Sequence, residues 1–252
     1  MRAPSRFLPL LLLGVLLTSP CLAQNGAPAM DGGVSETLQS IYIPPLLNAP
    51  FSAVVHTEWA KPLPGAGSYT LVNQRQVARD SQGRIYEERW LLVPKGGRFE
   101  SVMNVIQIAD PNARTLYNCF LLQRPHRCTL QRFAEKALTS YQPPVLQTGH
   151  LAGDTGFTLH ENLGVRSIQG IDTVGTRDTT TFNAGAFGND RAFDVTREFW
   201  TAGELGINLI SELNDPRIGR QTFILTDLSL AEPSPGLFEL PAGYQVVDVR
   251  KR

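Results

Sequence analysis

Few residues in this chain have the type and spacing to do chemistry, and the clearest pair is Cys119 and Cys128. They flank the segment Phe120 to Arg127, which contains Pro125. Two such cysteines in an exported chain read as one disulfide clamping the ends of two paired strands. A metal pair would need more ligands close by, and only His126 offers itself. A redox dithiol would use the tighter C-x-x-C spacing. The other histidines, His56, His150 and His160, are scattered, and a hydrolytic or metal site would require two or more of the four to meet with an acid in the fold. Glu87 and Glu88 fall on opposite faces of one strand, so they do not form a catalytic pair by themselves. Asp178, Asp190 and Asp194 lack the regular offsets of a calcium loop and fit turn and cap roles. Gly65-Ala66-Gly67-Ser68 sits in a turn and lacks the strand–turn–helix setting of a nucleophile elbow. There is no H-E-x-x-H helix and no phosphate loop. The sequence therefore assigns no catalytic residue, no metal ligand and no cofactor. Trp59, Trp90 and Trp200 all lie in strand patterns, where core packing is the plainer role and ligand contact the alternative.

The compartment that makes a disulfide sensible is written at the N-terminus. Arg2 and Arg6 precede an apolar run from Phe7 to Leu17, and Cys21-Leu22-Ala23 follows. A positive start, a short apolar core and a small residue before the cut define a secretion signal over residues 1–23, cleaved between Ala23 and Gln24. The run is shorter than the roughly 20 residues a membrane helix needs. No later stretch is apolar enough to span a bilayer as a helix. Cleavage before a lipidated Cys21 is the rival, and Pro20 and Thr18 fit it poorly. Without the signal's two arginines, 21 basic residues stand against 23 acidic ones, with no basic block, which argues against a nucleic-acid surface. The expected location is the periplasm or the exterior.

Strands must position whatever site exists. Residues 24–33 read as a flexible leader and 34–252 as a single β-rich domain. A half boundary falls within the Pro- and Gly-rich connector 142–156. Phe51, Ala53, Val55, Thr57 and Trp59 alternate with polar neighbours, the period-two signal of a strand. Asp80-Ser81-Gln82-Gly83 predicts a hairpin turn. In the strand that follows, charges midway along both faces predict a sheet wet on one side, or an open edge. Roughly eleven antiparallel strands are expected, with short helices near 35–42 and 133–141.

Asn48-Ala49-Pro50-Phe51, Gly188-Asn189-Asp190 through Glu198-Phe199-Trp200, and the ending Pro233 to Tyr244 together resemble a group of exported bacterial proteins of unassigned function. The Leu237-Phe238-Glu239-x-Pro241-x-Gly243-Tyr244 ending is also similar to periplasmic outer-membrane lipoprotein carriers of the LolA/LolB kind. That resemblance implies a strongly curved, unclosed antiparallel β-barrel, with one to three short helices over its concave face. It implies a lipid or a lipidated protein as partner, bound in a concave apolar site. An envelope protein bound by a scaffold module is the alternative. The ending places Phe238 in the core and carries no binding motif. The mature chain recovered from the periplasm is expected to begin at Gln24, as read by N-terminal sequencing. A chain beginning at Cys21 with added acyl mass would contradict the assignment.

Overall fold

The computed structural model describes residues 36–37, 41–65, 67–95, 98–145 and 147–250. The expected secretion signal and leader lie outside the described residues. The first strand, β1, is Glu36–Thr37. Four long strands follow: β2 (Phe51–Leu63), β3 (Gly67–Arg79), β4 (Ile85–Lys95) and β5 (Arg98–Asp110). Then come β6 (Thr115–Phe120), β7 (Arg127–Arg132) and β8 (Gly149–His150). A second run comprises β9 (Gly156–Ile168), β10 (Ile171–Phe182), β11 (Phe193–Ala202), β12 (Ile207–Asp215) and β13 (Gly219–Ser229). The last strand is β14 (Gln245–Asp248). All belong to one sheet, ordered β14-β7-β6-β5-β4-β3-β2-β13-β12-β11-β10-β9-β8, with β1 beside β4.

The early and late strands join where β13 pairs with β2, so one sheet runs through both sides of the 142–156 connector. Neighbours are antiparallel except β14, which lies parallel to β7. The two end strands, β14 and β8, do not pair, so the sheet stays open. It nevertheless curls. Ile85 and Ala109 from β4 and β5 share one buried cluster with Ile171 and Ala202 from β10 and β11. Phe51, Ala53, Val55, Val77, Leu209 and Leu225 fill the same cluster, and Ile41 and Ile43 close it from the end. Strong twist and curl without closure are the natural outcome for a large antiparallel sheet.

The short helices expected near 35–42 and 133–141 are not found there among the described residues, and this corrects their placement. Near 35–42, Glu36 and Thr37 pair with Leu92 and Leu91 as a short strand. Residues 133–141 run extended, because Leu138 pairs its backbone with the 44–47 segment. Two one-turn 3-10 segments exist, Ala152–Asp154 and Pro235–Phe238. The second packs Phe238 onto Ala78, Tyr86 and Ile108, a cluster separate from the one Ile41 closes. The predicted turn after β3 forms, with the Gly83 amide donating to Asp80 O and Gly83 at φ +78°. A disulfide joins Cys119 and Cys128, which face each other across β6 and β7.

The charges along β4 have a different explanation from a wet face. Strands β3 and β4 pair only from Val77–Glu87 to Arg79–Ile85 and then part. Glu88, buried, accepts from the freed Gln76 amide at 2.9 Å and from the Trp90 indole at 3.0 Å. A carboxylate thus substitutes for the missing ladder partner. On the neighbouring rungs Asn73 donates to Ser101 Oγ, and Arg75 donates to Thr57 Oγ1.

Arg79 ties the end of the sheet together. Its side chain is fully buried. Nε and Nη2 donate to Ala49 O at 2.9 and 2.7 Å, Nη1 to Pro44 O at 2.8 Å, and Nη2 also to Leu205 O at 2.8 Å. Its guanidinium lies over the Phe51 ring. Burial pulls its pKa down to about 10, so it remains a cation at neutral pH. Arg79→Leu strands three buried carbonyls, and a loss of about 3–5 kcal/mol is expected in urea unfolding. Arg220→Ala, which breaks an exposed pair with Glu212, is expected to cost less than about 1 kcal/mol. Replacing both cysteines by serine is expected to remove about 2.5–3 kcal/mol, set by the ten-residue loop they close.

Candidate apolar cleft

Two irregular segments cross the end of the curled sheet as a strap. The Leu47 amide donates to Leu138 O at 2.8 Å and the Leu138 amide to Pro45 O at 2.9 Å, which binds 41–49 to 133–145. The Tyr42 hydroxyl donates to Glu135 Oε2 at 2.6 Å. Pro44, Pro45, Pro143 and Pro144 keep both segments extended, since proline fixes φ and removes donors. The strap rests on the β11–β12 turn at Gly206, which has φ +65°. A Cβ there would lie 2.8 Å from the Tyr141 ring and 3.1 Å from Pro44, so only glycine lets the strap sit this close.

Between strap and sheet lies a cleft of about 780 Å³. Tyr42, Pro44, Leu138, Tyr141, Pro143 and Pro144 form one wall, and Val174, Thr176, Phe199, Thr201 and Asn208 the other. The register shows which side of the sheet this is. Phe199 pairs with Ser211, Ser211 with Phe223, and Phe223 with the buried Thr57. Phe199 therefore shares the face of Phe223 and Thr57. The volume lies within the range of small-molecule sites, and such sites are mostly apolar with a few placed polar groups. No Asp, Glu, Lys, Arg or His is among the described lining residues. The polar groups present are neutral. The Thr201 hydroxyl donates to Asn208 Oδ1 at 2.7 Å. Burial raises the Tyr141 phenol pKa, and burial together with Glu135 raises that of Tyr42, so both stay protonated donors.

A second recess, of about 480 Å³, opens where β3 and β4 part. Val54, Val72 and Trp90 line it with Asn73, Arg75 and Ser101. Burial pulls the Arg75 pKa down to about 10, with Arg89 adding to the effect.

The residues singled out in the sequence lie elsewhere. His56 meets Gln74, His126 stacks on Tyr244, His150 sits against Phe157, and His160 bonds Asp178 at 2.7 Å. Asp194 accepts from Thr181, and Asp178 is the partner of His160. Among the described residues no three His, Cys, Asp or Glu side chains are grouped to hold a metal. The tryptophans donate to Ile218 O, Glu88 and Glu198, and only Trp90 lines a recess. The cleft residues Tyr42, Tyr141, Phe199 and Asn208 carry no motif, and the Tyr141-Gln142-Pro143-Pro144 run is the one sequence signal that marks their strap.

No protein-family model matches the chain. No curated protein matches it. Several solved structures are similar. LprF from Mycobacterium bovis is 11% identical, covering 74% of this chain and 90% of its own, with a TM-score of 0.30. A LolA superfamily protein from Nitrosomonas europaea is 12% identical, covering 77% and 91%, with a TM-score of 0.29. The lipoprotein LppX from Mycobacterium tuberculosis is 10% identical, covering 72% and 88%, with a TM-score of 0.29. They include the LolA kind of protein that the C-terminal ending resembles. At this level of superposition the likeness carries no argument about function.

Proposed function

We propose that the chain is an exported, non-enzymatic binding protein that holds an apolar ligand in the cleft under the strap, either a lipid or the lipid part of a partner. The observation that carries this reading is the lining: about 780 Å³ walled by aromatic, proline and aliphatic side chains, with no carboxylate or cation among the described lining residues. The Cys119–Cys128 disulfide supports an oxidising compartment. Each buried methylene contributes about 0.8 kcal/mol, so ten contribute about 8 kcal/mol before the cost of association. That is enough to separate long chains from short ones.

A protein-interaction role is the second reading. It is favoured by the second recess, where Val54, Val72 and Trp90 are grouped at the parting of β3 and β4 and Val72 is 60% exposed. The experiment that divides the two is native mass measurement of the protein isolated gently from the periplasm, followed by solvent extraction. Extra mass that extracts as acyl lipid, and that Phe199→Asp abolishes, is the expected result. A clean chain mass, two hydrogens below the reduced form, moves the assignment to protein interaction. In a series of alkyl ligands, affinity is expected to rise about fourfold per methylene until the cleft is full.

A further inference from the structure

We infer that the ligand enters the cleft uncharged and presents a carbonyl there, so that it is an ester- or amide-linked apolar chain and not a free acid. The inference rests on the binding role proposed above and concerns the polar groups of the same cleft.

Thr201 and Asn208 sit opposite each other on β11 and β12. The Thr201 hydroxyl donates to Asn208 Oδ1, which engages the acceptor end of the amide. The Nδ2 group is then left with two hydrogens to donate. Among the described residues it has no protein acceptor. The Tyr141 phenol on the facing wall likewise has no protein partner among the described residues, and burial keeps it protonated. Two neutral donors therefore line an otherwise apolar cleft, Asn208 on the sheet and Tyr141 on the strap. Water reaches both donors in the open cleft, since neither is among the buried groups without a partner; a ligand that fills the cleft shuts that water out, and a ligand carbonyl then supplies the acceptor.

A carboxylate would also accept these hydrogen bonds, but its charge finds nothing to balance it. No Lys, Arg or His is among the described residues that line the cleft. An ionised carboxyl taken from water into apolar surroundings without a cation is strongly disfavoured and stays outside or takes up a proton. A charge that does touch the lining has the wrong sign, because the Glu135 carboxylate accepts from Tyr42 at 2.6 Å. A bare hydrocarbon fits the walls but leaves both donors unpaired. The cleft is thus selective by subtraction: it rejects the acid by charge and ranks the hydrocarbon below the ester by hydrogen bonding.

The test uses the full mature chain loaded with N-phenyl-1-naphthylamine, displaced in turn by methyl laurate, laurate and n-decane at pH 8. Methyl laurate is expected to displace the dye at least tenfold more effectively than laurate, with the gap narrowing as pH falls through the acid's own pKa. Asn208→Leu, which keeps the side-chain size and removes the donors, is expected to cut the ester's affinity about tenfold relative to that of decane. A wild-type circular-dichroism spectrum shows that the variant is folded. Laurate binding at pH 8 as tightly as its ester would overturn the inference, as would a preference for the ester over decane that survives Asn208→Leu, while leaving the binding role intact. Failure of all three ligands to displace the dye would remove the binding role itself.

Discussion

A guanidinium shut away from water must find oxygen acceptors, and all four hydrogen bonds of Arg79 go to backbone carbonyls. Those carbonyls belong to Pro44, Ala49 and Leu205, three points on irregular chain that no ladder could satisfy. One side chain therefore does for the strap and the β11–β12 turn what strand pairing does for the rest of the molecule. It also explains how an arginine can sit at the end of a strand facing Phe51, Ile43 and Leu205 without a carboxylate: the dipoles around it stand in for the counter-charge. The next residue, Asp80, turns its carboxylate to the amides of Gln82 and Arg84 and to the Arg84 side chain.

Because the strap is fixed at this end, the curled sheet gains a hollow as well as a core. The 41–49 segment pushes Ile41 and Ile43 into the main cluster, while Tyr42, between them, is exposed and reaches Glu135. The 133–145 segment then lies over the Gly206 turn through Tyr141. What remains between this second segment and β10–β12 is the cleft. An open barrel whose interior is packed at one level, polar at the next and hollow under its strap answers more than one of the architectures a curved sheet allows. Here the three coexist: the Phe51–Leu225 cluster, the Thr57–Asn73–Arg75 rungs, and the Phe199 wall.

Much of the sheet was legible because its signals are local. Alternation from Phe51 to Trp59, the Asp80–Gly83 turn and the Cys119–Cys128 spacing each report on a few neighbouring residues, and each appears where it was expected. The strap was not legible as such. Phe133 to Tyr141 has the composition of a short helix, and its extended form is imposed by backbone bonds to Pro45 and Leu47, far away in sequence. Glu88 misled for the same reason: its burial follows from the parting of β3 and β4, a tertiary event with no local period. The cleft lay beyond sequence reasoning altogether. Val174, Phe199 and Asn208 look like ordinary strand residues, and only the register that brings them under Tyr141 makes them a site.

The central claim is that the hollow under the strap is where an apolar ligand resides. Its most direct measurement is photocrosslinking with an acyl chain bearing a terminal diazirine, followed by peptide mapping of the adducts. The account predicts labels in 138–145 together with labels in the 174–176 or 199–201 stretch, competed away by unlabelled ester. Labels gathered around Val54, Val72 and Trp90, or spread without competition over exposed apolar residues, would contradict it.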